Sequence, residues 1–172
     1  MKFIETSLKG VYIIKPETIS DERGVFIPLF SHNEFFKYVD FKPIESGVSH
    51  NLLRGTVRGL HYQVAPFAQA KLVRCAKGRI FDVVVDLISF KWFGVELKEN
   101  EMIYIPHNYA HGFQTLVDDW IVEYLSDGYY NPLHEKGLLW NDPDIGIEWT
   151  IKEGIIISEK DKNLVPSKYR GR

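Results

Sequence analysis

Short runs of apolar residues recur along the chain, with turn formers between them. The runs are rich in Val, Ile, Phe, Tyr and Thr, residue types that fit a pleated, half-buried surface. The pattern predicts strands at Val11–Lys15, Val25–Phe30, Pro43–Ser49, Thr56–Tyr62, Lys71–Ala76, Arg79–Leu87, Gly94–Leu97, Met102–Ile105, His111–Leu116 and Trp120–Ser126. Lys77-Gly78 predicts a tight hairpin turn between two of them. Helical spacing is clear only at Asn33–Val39, with Asn33 as N-cap and Phe35, Phe36 and Val39 on one face. A second short helix is expected at Glu159–Asn163. Many short strands with almost no helix predict an all-β sandwich or jelly roll, an architecture that often encloses a ligand cavity.

Alternation assigns faces. In the run Arg79–Leu87, Phe81, Val83, Val85 and Leu87 make one apolar face, while Asp82 and Asp86 share the other with Ile80 and Val84. Both aspartates are expected at the solvent side. Arg58, Leu60 and Tyr62 are expected to point one way, and Gly59, His61 and Gln63 the other. Lys71 shares a face with Val73, and Tyr124 shares one with Trp120 and Val122.

Composition narrows the class. The chain has 172 residues and a mass of 20.0 kDa, which predicts a single domain spanning 1–172. Apolar residues make up 45% and aromatics 14%, enough for a packed core. The net charge of −2, with both signs interspersed, points away from nucleic-acid and membrane-surface partners. No run is long enough to span a bilayer, and Glu5 interrupts the N-terminus before a signal sequence develops. A single cysteine, Cys75, suits a reducing cytoplasm and reads as a small core residue. Trp140 and Trp149 read as packing.

Candidate chemistry concentrates in a few places. His61, taken alone, is an ordinary surface or hydrogen-bonded histidine. His107 and His111 are four apart, but Pro106 and Gly112 oppose the helix that would make them a metal pair. Pro106-x-Asn108-x-x-His111 is close to the second cupin motif, with Asn108 where glycine is usual, and Asn tolerates the left-handed backbone that such a turn needs. The earlier His-x-His of metal cupins is missing, because His61 is followed by Tyr62-Gln63. A jelly roll without a catalytic metal is therefore expected. Tyr129-Tyr130 is a turn carrying two rings, and Asp161 sits in a charged run that alone reads as solvated.

Together these regions resemble the dTDP-4-dehydrorhamnose 3,5-epimerase family of nucleotide-sugar epimerases. The motifs are DERGVF (Asp21–Phe26), RGLHYQ (Arg58–Gln63), AKLVRCAKGRIFDVVVD (Ala70–Asp86), IPHNYAHGF (Ile105–Phe113), EYLSDGYYNP (Glu123–Pro132), WNDPDIGIEW (Trp140–Trp149) and SEKD (Ser158–Asp161). They stand in the family's order and cover nearly the whole chain. The resemblance implies a cupin-like jelly roll (a double-stranded β-helix), a homodimer and no cofactor. The implied substrate is a nucleoside-diphosphate 4-keto-6-deoxy sugar, epimerised at C3, C5 or both. The family's base falls on His61, its orienting carboxylate on Asp161, its acid on Tyr124 and its lysine near the ketone on Lys71. Substrate-lining positions fall on Arg23, Phe26, Arg58, Gln63, His111 and Tyr130.

The chemistry suits those types. A proton beside a ketone becomes acidic because its loss gives an enolate, so the site needs a base, a charge at the enolate oxygen and an acid on the opposite face. Where thymidine-using members carry Glu and Gln-x-Asn, this chain has Pro28 and Ser46-Gly47-Val48. That departure favours a base other than thymine, GDP-linked sugars first, 4-keto heptoses included. The competing readings are a 3,4-ketoisomerase of the same branch and a non-catalytic sugar-binding jelly roll.

Overall fold

The computed structural model describes residues 1–169. Two antiparallel sheets face each other in a cupin-like jelly roll. The larger has six strands in the order β1 (Lys2–Glu5), β2 (Tyr12–Lys15), β10 (Met102–Ile105), β7 (Lys71–Lys77), β12 (Trp120–Ser126) and β5 (Glu45–Asn51). The smaller has the order β13 (Glu135–Gly137), β6 (Val57–Gln63), β11 (Tyr109–Thr115), β8 (Arg79–Asp86) and β9 (Trp92–Lys98). A separate exposed hairpin pairs β3 (Ile19–Asp21) with β4 (Gly24–Phe26). The helices are short: α1 (His32–Phe35) and α2 (Glu159–Lys162).

Three apolar layers follow from alternation. Val73, Cys75, Ile80, Val84, Phe113, Trp120 and Val122 pack between the sheets. Full burial of each large side chain stabilises the fold by roughly 1.5–3 kcal/mol. Val83, Val85, Leu60, Leu138 and Trp149 fill the outer side of the smaller sheet, where the Trp149 indole N–H donates to the Trp140 carbonyl. Leu72, Met102 and Tyr104 on the outer side of the larger sheet meet Phe35 and Phe41. Cys75 is fully buried, and burial pushes its thiol up to about 12, so it stays protonated inside the core.

Several expectations change. Lys77-Gly78 does not close a hairpin, because β7 and β8 belong to different sheets. Gly78 (φ +90°) is instead the corner between them, where a Cβ would come within 2.9 Å of Val117 Cγ2. The first helix is capped at Ser31 rather than Asn33, and Phe36 points outward, 61% exposed. The strand expected at Val25–Phe30 is only the short β4; β1 was not expected, and β3 and β13, three residues each, are too short to leave a periodic signal.

One deviation shapes the interior. His111 pairs with His61 and Phe113 with Arg58, so three residues of β6 span two of β11. This β-bulge breaks the alternation and brings Arg58 to the same side as His61, against the expected opposite faces. It depends on two glycines. A Cβ on Gly59 (φ +119°) would lie 2.6 Å from Gly112 Cα, and one on Gly112 would lie 2.6 Å from the Arg58 carbonyl oxygen.

Candidate active site

A cavity of about 570 Å³ is lined by strands of both sheets and by the C-terminal segment 156–161. That segment arrives along the start of β6: the Val57 N–H donates to the Ile156 carbonyl and the Ile156 N–H to the Gly55 carbonyl. It then enters α2, capped by Ser158, whose Oγ accepts the Asp161 N–H at 3.1 Å. The cap turns the Asp161 side chain inward. Its Oδ1 lies 2.7 Å from His61 Nε2, and its Oδ2 accepts the Gly59 N–H at 3.2 Å. Burial alone would raise the Asp161 carboxyl. The His61 hydrogen bond and charge, the Gly59 N–H and Lys160 outweigh it and hold the group below the usual carboxylate range. With Nε2 directed at a carboxylate, the imidazole lone pair falls on Nδ1.

Lys71 opens β7 and lines the same cavity. Burial lowers its ammonium from the ordinary value, and Glu135 opposes that. Tyr124 stands on β12, its hydroxyl donating to Ser49 Oγ at 3.3 Å. Burial pushes the phenol up to about 12, against the Ser49 hydrogen bond and the Arg58 charge, which lower it, and with Asp82, which raises it. The group is thus a protonated acid at neutral pH. Arg58 and His111 complete the wall, with the Arg58 guanidinium 5.9 Å from the centre of the Trp120 ring.

Asp82 corrects the reading of both β8 aspartates as solvent-facing. It is 0% exposed, and its Oδ2 lies 2.9 Å from His111 Nε2. Asp86 does reach the edge, where it accepts the Ile88 N–H and the Ser89 hydroxyl. His107 and His111 go to different carboxylates, His107 to Asp127 at 3.2 Å, as the absence of a helix between them requires. Asn108 has φ +68°, the left-handed conformation expected of that turn.

The structure thus brings His61, Asp161, Lys71, Tyr124, Arg58 and His111 to one cavity. Tyr130 lies in an adjoining cleft of about 190 Å³ that shares Lys71 and Tyr124. Gln63 does not face the cavity: its amide donates to the Phe67 and Tyr129 carbonyls and accepts the Asn131 N–H, so it is spent bracing the loop after β12. Arg23 and Phe26 are also elsewhere, on the exposed β3–β4 hairpin, where Arg23 pairs with Asp21 and Phe26 is 65% exposed. Ser46 and Val48 line a second cavity, of about 460 Å³, beside Phe30, Arg74 and Glu123. Sequence reasoning missed Ser49 and Lys160 in the main cavity. Lys160 was visible inside SEKD, next to Asp161, whereas Ser49 had no signal until the register of β5 was known.

The family model described as dTDP-4-dehydrorhamnose 3,5-epimerase matches residues 5–168. The dTDP-4-dehydrorhamnose 3,5-epimerase of Methanothermobacter thermautotrophicus is 41% identical over 96% of this chain and 94% of its own. A crystal structure of that enzyme from Elizabethkingia anophelis superposes with a TM-score of 0.93 at 36% identity, covering 100% of this chain and 99% of the other. The Legionella pneumophila dTDP-6-deoxy-D-glucose-3,5-epimerase, solved in complex with dTDP-4-keto-L-rhamnose, gives 0.92 at 30% identity over 98% and 94%. The chain belongs to the dTDP-4-dehydrorhamnose 3,5-epimerase family, isomerases that act on nucleotide sugars.

Proposed function

We propose that the protein inverts C3, C5 or both of a nucleoside-diphosphate 4-keto-6-deoxy sugar or 4-keto heptose, working without a cofactor. The observation that carries this reading is the His61–Asp161 pair at 2.7 Å, on a cavity it shares with Lys71 and Tyr124. In this reading His61 Nδ1 takes the proton beside the C4 ketone, and Asp161 fixes the tautomer and stabilises the imidazolium that forms. The Lys71 ammonium balances the charge that develops on the C4 oxygen. Tyr124 returns a proton to the opposite face of the ring, which completes the inversion. Arg58, His111 and Tyr130 bind the remainder of the substrate.

The active form is proposed to be a homodimer. The β3–β4 hairpin carries Ile19, Val25 and Phe26, each more than 60% exposed, and a second copy would cover them. Any contact that Arg23 and Phe26 make with substrate then comes from the partner.

The nucleotide is the finer question. Pro28, Ser46 and Val48 support a base other than thymine, with GDP first. The names of the relatives favour the second reading, a dTDP-linked sugar. The test is deuterium uptake in D₂O, read by NMR, across GDP-, CDP- and dTDP-linked 4-keto sugars. Exchange at C3 or C5 is expected with at least one of them, and the largest kcat/KM names the base. A folded protein that binds a nucleotide sugar but exchanges neither carbon contradicts the reading.

A further inference from the structure

Glu135 touches the site from outside the cavity wall. It stands on β13, whose pairing with β6 sets Glu135 opposite Gln63 and Gly137 opposite His61. Its side chain is 15% exposed, and its Oε2 accepts two hydrogen bonds: Lys160 Nζ at 2.6 Å and the Tyr130 hydroxyl at 2.9 Å. Lys160 precedes Asp161 on α2, so one carboxylate ties together β13, the tyrosine of the adjoining cleft and the helix that orients His61. Among the described residues Lys71 forms no salt bridge, although it is half-buried on the cavity wall. The titratable or charged groups around it are Arg58 and His61 on β6, His111 on β11, Tyr124 on β12, Tyr130 after β12, Glu45 on β5, and Lys160 and Asp161 on α2, with Glu135 on β13 behind Lys160 and Tyr130. Of the three carboxylates, Asp161 is committed to His61 and Glu45 accepts the Tyr130 N–H. Glu135 reaches the surroundings of Lys71 from two sides, through Lys160 in the main cavity and Tyr130 in the adjoining cleft, both of which Lys71 also lines.

We propose that Glu135 is a positioning residue of the epimerisation, holding α2 and the Tyr130 ring against β6 and supplying the negative charge that keeps Lys71 a cation beside the substrate ketone. The role rests on the reading of Lys71 as the partner of the C4 oxygen. A buried ammonium without a counter-charge tends to shed its proton. A neutral amine would give the developing enolate far less stabilisation. The sign is fixed: removing the Glu135 charge moves Lys71 towards the neutral amine, so the alkaline limb of kcat/KM moves to lower pH. Removing Lys160 frees Glu135 from its cation and moves Lys71 the other way.

The test is an NMR titration of ¹³Cε-labelled lysine in the wild-type protein, Glu135→Gln and Lys160→Met, with the Lys71 signal assigned from Lys71→Arg. No substrate is required. The Lys71 midpoint is expected to fall by about one pH unit in Glu135→Gln, a tenfold change in the protonation equilibrium, and to rise in Lys160→Met. In kcat/KM profiles of the active protein the alkaline limb is expected to move with it, with KM changed less than kcat. A midpoint that stays put in both variants, or moves the same way in both, overturns the proposal. If Glu135→Gln does not fold, the sign of the Lys160→Met shift decides. A wild-type protein inactive on every nucleotide sugar defeats the epimerase reading, while the titration still decides whether Glu135 holds the charge of Lys71.

Discussion

Tyr124 is the residue where chemistry and position are most closely linked. Its phenol is buried, pushed up to about 12, and donates to Ser49 Oγ. Such a group has its proton ready at neutral pH but releases it only to a strong base, which a ketone-stabilised carbanion is. Tyr124→Phe keeps the ring and loses the proton. It is expected to retain deuterium exchange at the carbon that His61 reaches while epimerised product falls by roughly 10²-fold or more. Product formed at the wild-type rate by the phenylalanine variant would remove Tyr124 from the acid role. The alternation that set Tyr124 beside Val122 was readable directly, as was Lys71 beside Val73. Asp161 was not, because a lone aspartate among lysines has no periodicity, and only the family's motif order marked it. Asp82 misled for a related reason. Its neighbours Ile80 and Val84 already pointed to an interior face, but a buried carboxylate needs a partner, and His111 is twenty-nine positions away.

At the scale of elements, the bulge between β6 and β11 governs the site. Strict alternation sends Arg58 and His61 apart, and a sequence pattern cannot show that one strand carries an extra residue. Gly59 and Gly112 are the only trace of it, and they read as ordinary strand glycines until the strands are paired. Gly112→Ala is expected to destabilise the fold by about 1–3 kcal/mol, since its Cβ meets backbone rather than a flexible side chain. Thermal unfolding checks this. An unchanged melting temperature would show that the two strands part easily, and the bulge could not then be what fixes His61. The same limit explains the corner at Gly78: Lys77-Gly78 has the composition of a hairpin, and only the sheet membership of β7 and β8 distinguishes a corner from a turn.

For the whole molecule, the C-terminal segment lines the cavity, and beyond its backbone bonds at the start of β6 the Asp161 carboxylate ties it to β6 through His61 and Gly59. The Asp161 carboxyl is held below its usual 3.8 in the folded state. Its contribution to stability is therefore complete above that value and is lost as pH falls through the lower folded value. Asp161→Asn is expected to lower the urea midpoint at neutral pH, with the gap to wild type narrowing as pH drops below 3.8. A gap constant with pH would mean that the Asp161 charge contributes no charge-dependent stability. Assembly has its own test. Sedimentation is expected to give twice the 20.0 kDa chain mass, and Phe26→Asp, on the exposed hairpin, is expected to shift the protein towards the single-chain value. A wild-type protein sedimenting as one chain contradicts the dimer.

The most direct test of the account is the rate at which the hydrogens beside the ketone wash out in D₂O, measured for wild type and His61→Ala on the sugar that wild type turns over. The account predicts washout at C3, C5 or both in wild type. In His61→Ala it predicts a loss of about 10²–10⁴-fold, with nucleotide-sugar affinity largely retained. Washout at the wild-type rate in the alanine variant would contradict it, because some other group would then be removing the proton.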